Sequence, residues 1–126
     1  MAEVNDMVNA PRHYRSHPSG FECLEVTRRV GFDVGNAIKY VWRRSDKGSA
    51  RQDLMKAAFY IGDALSHDPA ALAVPEPAAR ILEQVAAAEP DPAAAEFFRA
   101  AAGMRWEAAE AAVQKLIGQL EPVTSA

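Results

Sequence analysis

Asn36, Lys39 and Arg43 follow one another at intervals of three and four residues, a spacing that puts side chains on one face of a helix. Asp53, Lys56 and Tyr60 repeat that spacing, so a carboxylate, an ammonium and a phenol can touch along a second helix flank. A row of amide and cations suits a phosphate, whose charge it neutralises through charge-assisted hydrogen bonds. Lys56 belongs with that row, and Arg44 and Lys47 add positive charge nearby. Asp53, the best-placed carboxylate of this basic stretch, can orient Lys56 or anchor a metal ion. Tyr40, with His13 and Tyr14 upstream, offers rings to lay against a base. The plain alternative is a solvated basic helix face and an ordinary intrahelical ion pair capped by a tyrosine.

The elements that must hold these groups are helices. Asp33 is a plausible N-cap, and Val34, Ala37, Ile38, Val41 and Trp42 then fall within an arc of roughly 140°. Asn36, Lys39 and Arg43 gather opposite that apolar arc. Gly35 lowers helix propensity by about 1 kcal/mol against Ala, which points to close approach by a ligand or a neighbouring helix. Ser49 followed by Gln52 forms a capping box for a helix reaching about His67. Its inner face is Ala50, Leu54, Ala57, Ala58, Ile61, Ala64 and Leu65, while Met55 and Phe59 face outward.

Around these two helices the chain divides by composition. Residues 1–19 read as an arm, because Pro11, Pro18 and the absence of periodicity argue against regular structure. Residues 20–67 form a helical domain that opens with a short helix from Phe21 to about Val30, ended by Gly31. Residues 68–77 are a Pro/Ala-rich linker, with Pro77 as a candidate first residue of the next helix. Residues 78–121 form a C-terminal helical extension: a helix over 78–89 with Ile81, Leu82 and Val85 inward, one that starts at Asp91-Pro92 and carries Phe97 and Phe98, and one running on from Trp106. No strand pattern occurs. The expected fold is all-α, a small bundle of five or six short helices with an extended N-terminal arm.

Charge is unevenly placed along the 126 residues. Residues 12–56 hold ten Lys/Arg against five Asp/Glu, whereas residues 57–126 hold four against ten. A basic half points to an anionic partner, or to the acidic half of a second copy. The chain as a whole is acidic, at −3, and carries no recognised nucleic-acid-binding motif, which argues against a nucleic-acid partner. No apolar run is long enough to span a membrane, so no membrane partner is expected. Cys23 is the sole cysteine; it cannot form an internal disulfide and fits a reducing cytoplasm as a buried apolar residue. His13, His17 and Cys23 invite a metal reading, but Pro18 breaks the helix their spacing needs and no cluster completes four ligands. No metal site is assigned. The phosphate-binding loop G-x-x-x-x-G-K-[ST] is absent, so side chains must supply the charge for any phosphate.

Phe97, Phe98 and Trp106 are large aromatics in an alanine-rich region. A bundle this small leaves much of its surface exposed. The expectation is therefore a homo-oligomer, most simply a two-fold dimer, burying part of the set Met55, Phe59, Phe97, Phe98 and Trp106 between subunits. The rival arrangement folds the C-terminal helices over Met55 and Phe59 within one chain.

The wording of the chain is more specific than its periodicity. Asn9-Ala10-Pro11-Arg12-His13-Tyr14, Gly20-Phe21-Glu22-Cys23, Gly35-Asn36-Ala37-Ile38-Lys39-Tyr40-Val41-Trp42-Arg43, Lys47-Gly48 and Asp53-Leu54-Met55-Lys56-Ala57-Ala58-Phe59-Tyr60 together resemble the SaV-like family. These are small phage-encoded proteins of largely unknown function, often labelled phage nucleotide kinases. Ala10 and Glu25 depart from the family's usual His and Asp. The resemblance implies a nucleoside monophosphate kinase without a phosphate-binding loop, working with magnesium and nucleotide in the host cytoplasm. Lys39, Arg43, Arg44, Lys47 and Lys56 would then neutralise the transferred phosphoryl group, with Asp53 as magnesium anchor. Two other classes stay open: a non-catalytic protein that sequesters a nucleotide signal, and a protein-interaction module whose basic face meets an acidic partner.

Overall fold

Two helix starts follow directly from short polar side chains. The Ser49 hydroxyl accepts from the Gln52 N–H at 3.4 Å, and the Asp91 carboxylate accepts from the Ala93 N–H at 3.0 Å with Pro92 as the first helical residue. The computed structural model describes residues 17–44, 49–67 and 69–120. Among them are six α-helices and no strand: α1 (Leu24–Thr27), α2 (Phe32–Trp42), α3 (Ala50–Leu65), α4 (Ala78–Ala88), α5 (Pro92–Ala102) and α6 (Trp106–Leu120), with a 3₁₀ turn over Pro69–Leu72. The fold is all-α, as the periodicity predicts.

The helices pack largely in chain order, α2 on α3, α4 on α5 and α5 on α6. Contacts of α3 with α6 and of α1 with α4 join the two sets. One continuous core results, running from Val26 of α1 through Ile38 and Val41, Leu54 and Ile61, and Leu82 and Val85 to Phe97, Phe98 and Val113. Alanines on α5 and α6 let those helices approach closely. The segment before α4 packs too: Val74 is buried, and the Trp106 indole N–H donates to the Leu72 carbonyl at 3.1 Å.

Several expectations are corrected. Helix α2 begins at Phe32 with Gly31 as its N-cap, so Asp33 lies in the first turn instead of capping it. Helix α1 spans only Leu24–Thr27; the Arg28 and Arg29 guanidinium groups donate to the Leu24 and Glu25 carbonyls beside its end. Pro77 is the N-cap position of α4, one residue before the helix. Leu65 is exposed instead of lining the inner face of α3.

Gly35 is buried where α2 crosses the end of α1, and a Cβ there would meet Val30 and Thr27 at 3.5 and 3.7 Å. Those are ordinary van der Waals distances, so the end of α1 lies against Gly35 without requiring a glycine there. Phe97 and Phe98 are fully buried and Trp106 nearly so, all within the single chain. A small bundle can bury them after all, because alanine neighbours leave room for large rings. Nor do the C-terminal helices cover Met55 and Phe59, which stay exposed.

Candidate functional site

Helices α2 and α3 share one flank on which the predicted groups meet. Tyr40 lies beside the apolar arc of α2 and is half-buried; Tyr60 occupies the matching place on α3. Their rings stack with centroids 6.1 Å apart and planes within 6° of parallel. Three cations surround the Tyr40 ring: Lys39 Nζ at 4.7 Å, Lys56 Nζ at 5.3 Å and the Arg43 guanidinium carbon at 5.8 Å from its centroid. Each such contact is worth about 0.5–1 kcal/mol at an exposed site. Their mutual repulsion leaves a local positive potential that an anion would relieve.

An open pocket of about 700 Å³ lies next to this cluster. Its polar wall is Ser49, Arg51, Gln52 and Lys56, at the N-terminal end of α3; its apolar wall is Met55, Phe59 and the two tyrosines. A helix N-terminus favours negative charge, and the apolar wall favours a flat ring. The dimensions lie in the range of small-molecule sites.

Asp53 sits differently from the role foreseen for it. It is only 6% exposed, and its Oδ2 faces Arg43 Nε at 3.6 Å. Arg43 thus joins the Tyr40 cluster on one side and neutralises a buried carboxylate on the other. Asn36 donates its side-chain amide to the Phe32 carbonyl at 3.0 Å, within its own helix. Arg44 is drawn away from the pocket: it donates to Glu89 at 3.0 Å and to the Val41 carbonyl at 2.8 Å. The structure therefore gathers Lys39, Tyr40, Arg43, Asp53 and Lys56 and separates Arg44 from them. His13, Tyr14 and Lys47 lie outside the described residues.

His17, one of the metal candidates, is a structural group. Its Nε2 meets Glu89 Oε1 at 3.0 Å, its Nδ1 accepts from the Ser19 amide at 2.9 Å, and its ring packs against Trp42 and Phe98. Burial by itself would raise the Glu89 carboxyl, but hydrogen bonds from His17 and the Asp91 amide, together with Arg44, outweigh burial and hold it below its ordinary value. Cys23 behaves as expected of a core residue: burial pushes its thiol up to about 12, against the weaker pull of Lys39.

Ser49, Arg51, Gln52 and the exposed Phe32 are the residues that reading for motifs misses. The first three follow from the outer face of α3, since Gln52, Met55, Lys56 and Phe59 recur at helical spacing. Phe32 carries no such signal; it joins the face only because α2 packs on α3 and brings its ring to 5.8 Å from Tyr60.

Residues 8–62, which include this flank from Phe32 to Tyr60, match the family described as a protein of unknown function, DUF3310. No curated protein matches the chain, and no solved structure does. The segment of the chain that carries the candidate site is thus the one similar to a known but uncharacterised family.

Proposed function

We propose that the chain binds a nucleotide on the α2–α3 flank. The observation that supports this is the juxtaposition of the parallel Tyr40–Tyr60 pair, ringed by Lys39, Arg43 and Lys56, with a pocket whose polar end is the first turn of α3. The phosphates lie towards Ser49, Arg51 and Lys56, and the base lies over Met55, Phe59 and Tyr60. Phosphoryl transfer, implied by the resemblance to phage nucleotide kinases, is the second reading, and its residue is Asp53. That carboxylate is already neutralised by Arg43 and does not fit a magnesium anchor as it stands. No transfer step is therefore derived, and binding alone, as in the sequestering class, is the activity proposed.

A thermal-shift panel of nucleoside mono- and triphosphates, with and without magnesium, tests this. A bound nucleotide at a hundredfold excess over Kd should stabilise the fold by about 2.7 kcal/mol. Lys56→Ala should weaken that binding by roughly 1.5–3 kcal/mol, the range for a charge-assisted hydrogen bond. If no nucleotide raises the melting temperature, the reading is wrong. If the bound nucleotide also donates its phosphoryl group to a nucleoside monophosphate, and Asp53→Asn stops this without loss of binding, the kinase reading replaces it.

A further inference from the structure

The aromatic surface on this flank is larger than one nucleotide can cover. Phe32 is 75% exposed and Phe59 64%, and both stand edge-on to Tyr60, with centroids at 5.8 and 5.2 Å. Tyr60 in turn stacks on Tyr40. Four rings thus form one contiguous track, open to solvent at two of them. A single base over Phe59 and Tyr60 would leave Phe32 in water.

Cations lie at one end of this track, around Tyr40 and in the pocket that Phe59 and Tyr60 line. Lys39 and Lys56 flank Tyr40, and Arg51 lies about two turns before Phe59 on α3, roughly 12 Å away by helix rise. Exposed rings next to a cluster of cations offer an unpaired strand of nucleic acid what it requires: ring faces for its bases and positive charge for its phosphates. At the Phe32 end the track is bounded by Asp33, the next residue of α2.

A second copy of the chain suits the face less well. A two-fold contact places the same patch against itself, so Lys56 and Arg51 would meet the basic face of the partner. We infer that the α2–α3 flank binds single-stranded nucleic acid, with Phe32, Tyr60 and Phe59 stacking on bases and Lys39, Lys56 and Arg51 holding phosphates. This rests on the nucleotide reading of the same flank and extends it from one nucleotide to a strand. The net negative charge of the chain is no obstacle, because Glu76, Glu83, Glu107 and Glu110 belong to the C-terminal helices and the turn before them.

The test is fluorescence anisotropy with a labelled oligothymidylate of about 15 nucleotides, a strand without stable secondary structure. Three phosphate contacts on a single strand predict an affinity loss on the order of 20-fold between about 50 and 200 mM salt. Phe59→Ala and Phe32→Ala, both at exposed positions, should each weaken binding roughly 5- to 150-fold with an unchanged circular dichroism spectrum. Binding that depends on salt but is untouched by either phenylalanine overturns the inference, since it would be charge attraction alone. If mononucleotides raise the melting temperature while the oligonucleotide does not bind, the inference fails and the nucleotide reading stands. If the oligonucleotide binds as predicted and no mononucleotide does, the strand is the ligand and the mononucleotide reading fails. If the wild type scatters light as a dimer that Phe59→Ala dissociates, and no oligonucleotide binds, a second copy covers the face and the inference is overturned.

Discussion

Arg43 shows how one residue can belong to two environments. From spacing it stands opposite the apolar arc of α2, beside Lys39, and its loss should affect only binding. In the structure it also faces Asp53, whose Oδ2 lies 3.6 Å from its Nε, a buried N–H with no hydrogen-bond partner among the described residues. Removing Arg43 leaves a buried carboxylate uncompensated, which costs about 1–3 kcal/mol. Among the described residues Lys39 has no carboxylate partner and rests on a tyrosine face. Chemical denaturation should therefore show Arg43→Ala destabilised by that amount and Lys39→Ala within roughly 0.5 kcal/mol of wild type. Equal stability of the two variants would show that Asp53 does not depend on Arg43.

Helix ends are the element-scale feature that most invites change. Helix α5 closes in a Schellman arrangement: the Met104 N–H donates to the Ala101 carbonyl at 3.0 Å and the Arg105 N–H to the Ala100 carbonyl at 2.8 Å. The residue that takes the left-handed conformation is Met104, with φ of 57°, and Gly103 stands one position too early to relieve it. That conformation costs a side-chain-bearing residue roughly 1–2 kcal/mol, part of which Gly would lose again through its freer unfolded chain. Since the Met104 side chain is exposed, Met104→Gly should raise stability by about 0.5–1 kcal/mol in urea titration. A destabilised variant would mean that the methionine side chain makes a contact worth more than the strain.

At the scale of the molecule, a buried polar junction ties the start of the described chain to its C-terminal helices. His17, Arg44 and the Asp91 amide converge on Glu89, whose side chain is 3% exposed. Because the folded carboxyl titrates below its ordinary value of 4.5, its contribution to stability is fully present above about pH 4.5. That contribution disappears as pH falls through the lower folded value. The stability difference between wild type and Glu89→Gln should therefore shrink as pH falls below about 5. A difference independent of pH down to 3 would show that the junction acts through shape and not through charge.

Much of this protein is determined locally. The period of Val34, Ala37, Ile38 and Val41, the Ser49 and Asp91 caps, and the breaks at Pro90 and Gly103 specify the helices, because each depends on residues within one turn of one another. The cations of the candidate site were legible for the same reason, as neighbours at helical spacing. What no local pattern reports is which of them stay together. Arg44 differs from Arg43 by one position, yet beyond the end of α2 it turns to Glu89, 45 residues away. Phe98, as apolar as Phe59, is buried against Trp42, whereas Phe59 remains exposed beside Tyr60. Burial and partnership arise between elements distant in sequence, so only the packing of α2 on α3 and α5 on α6 decides them.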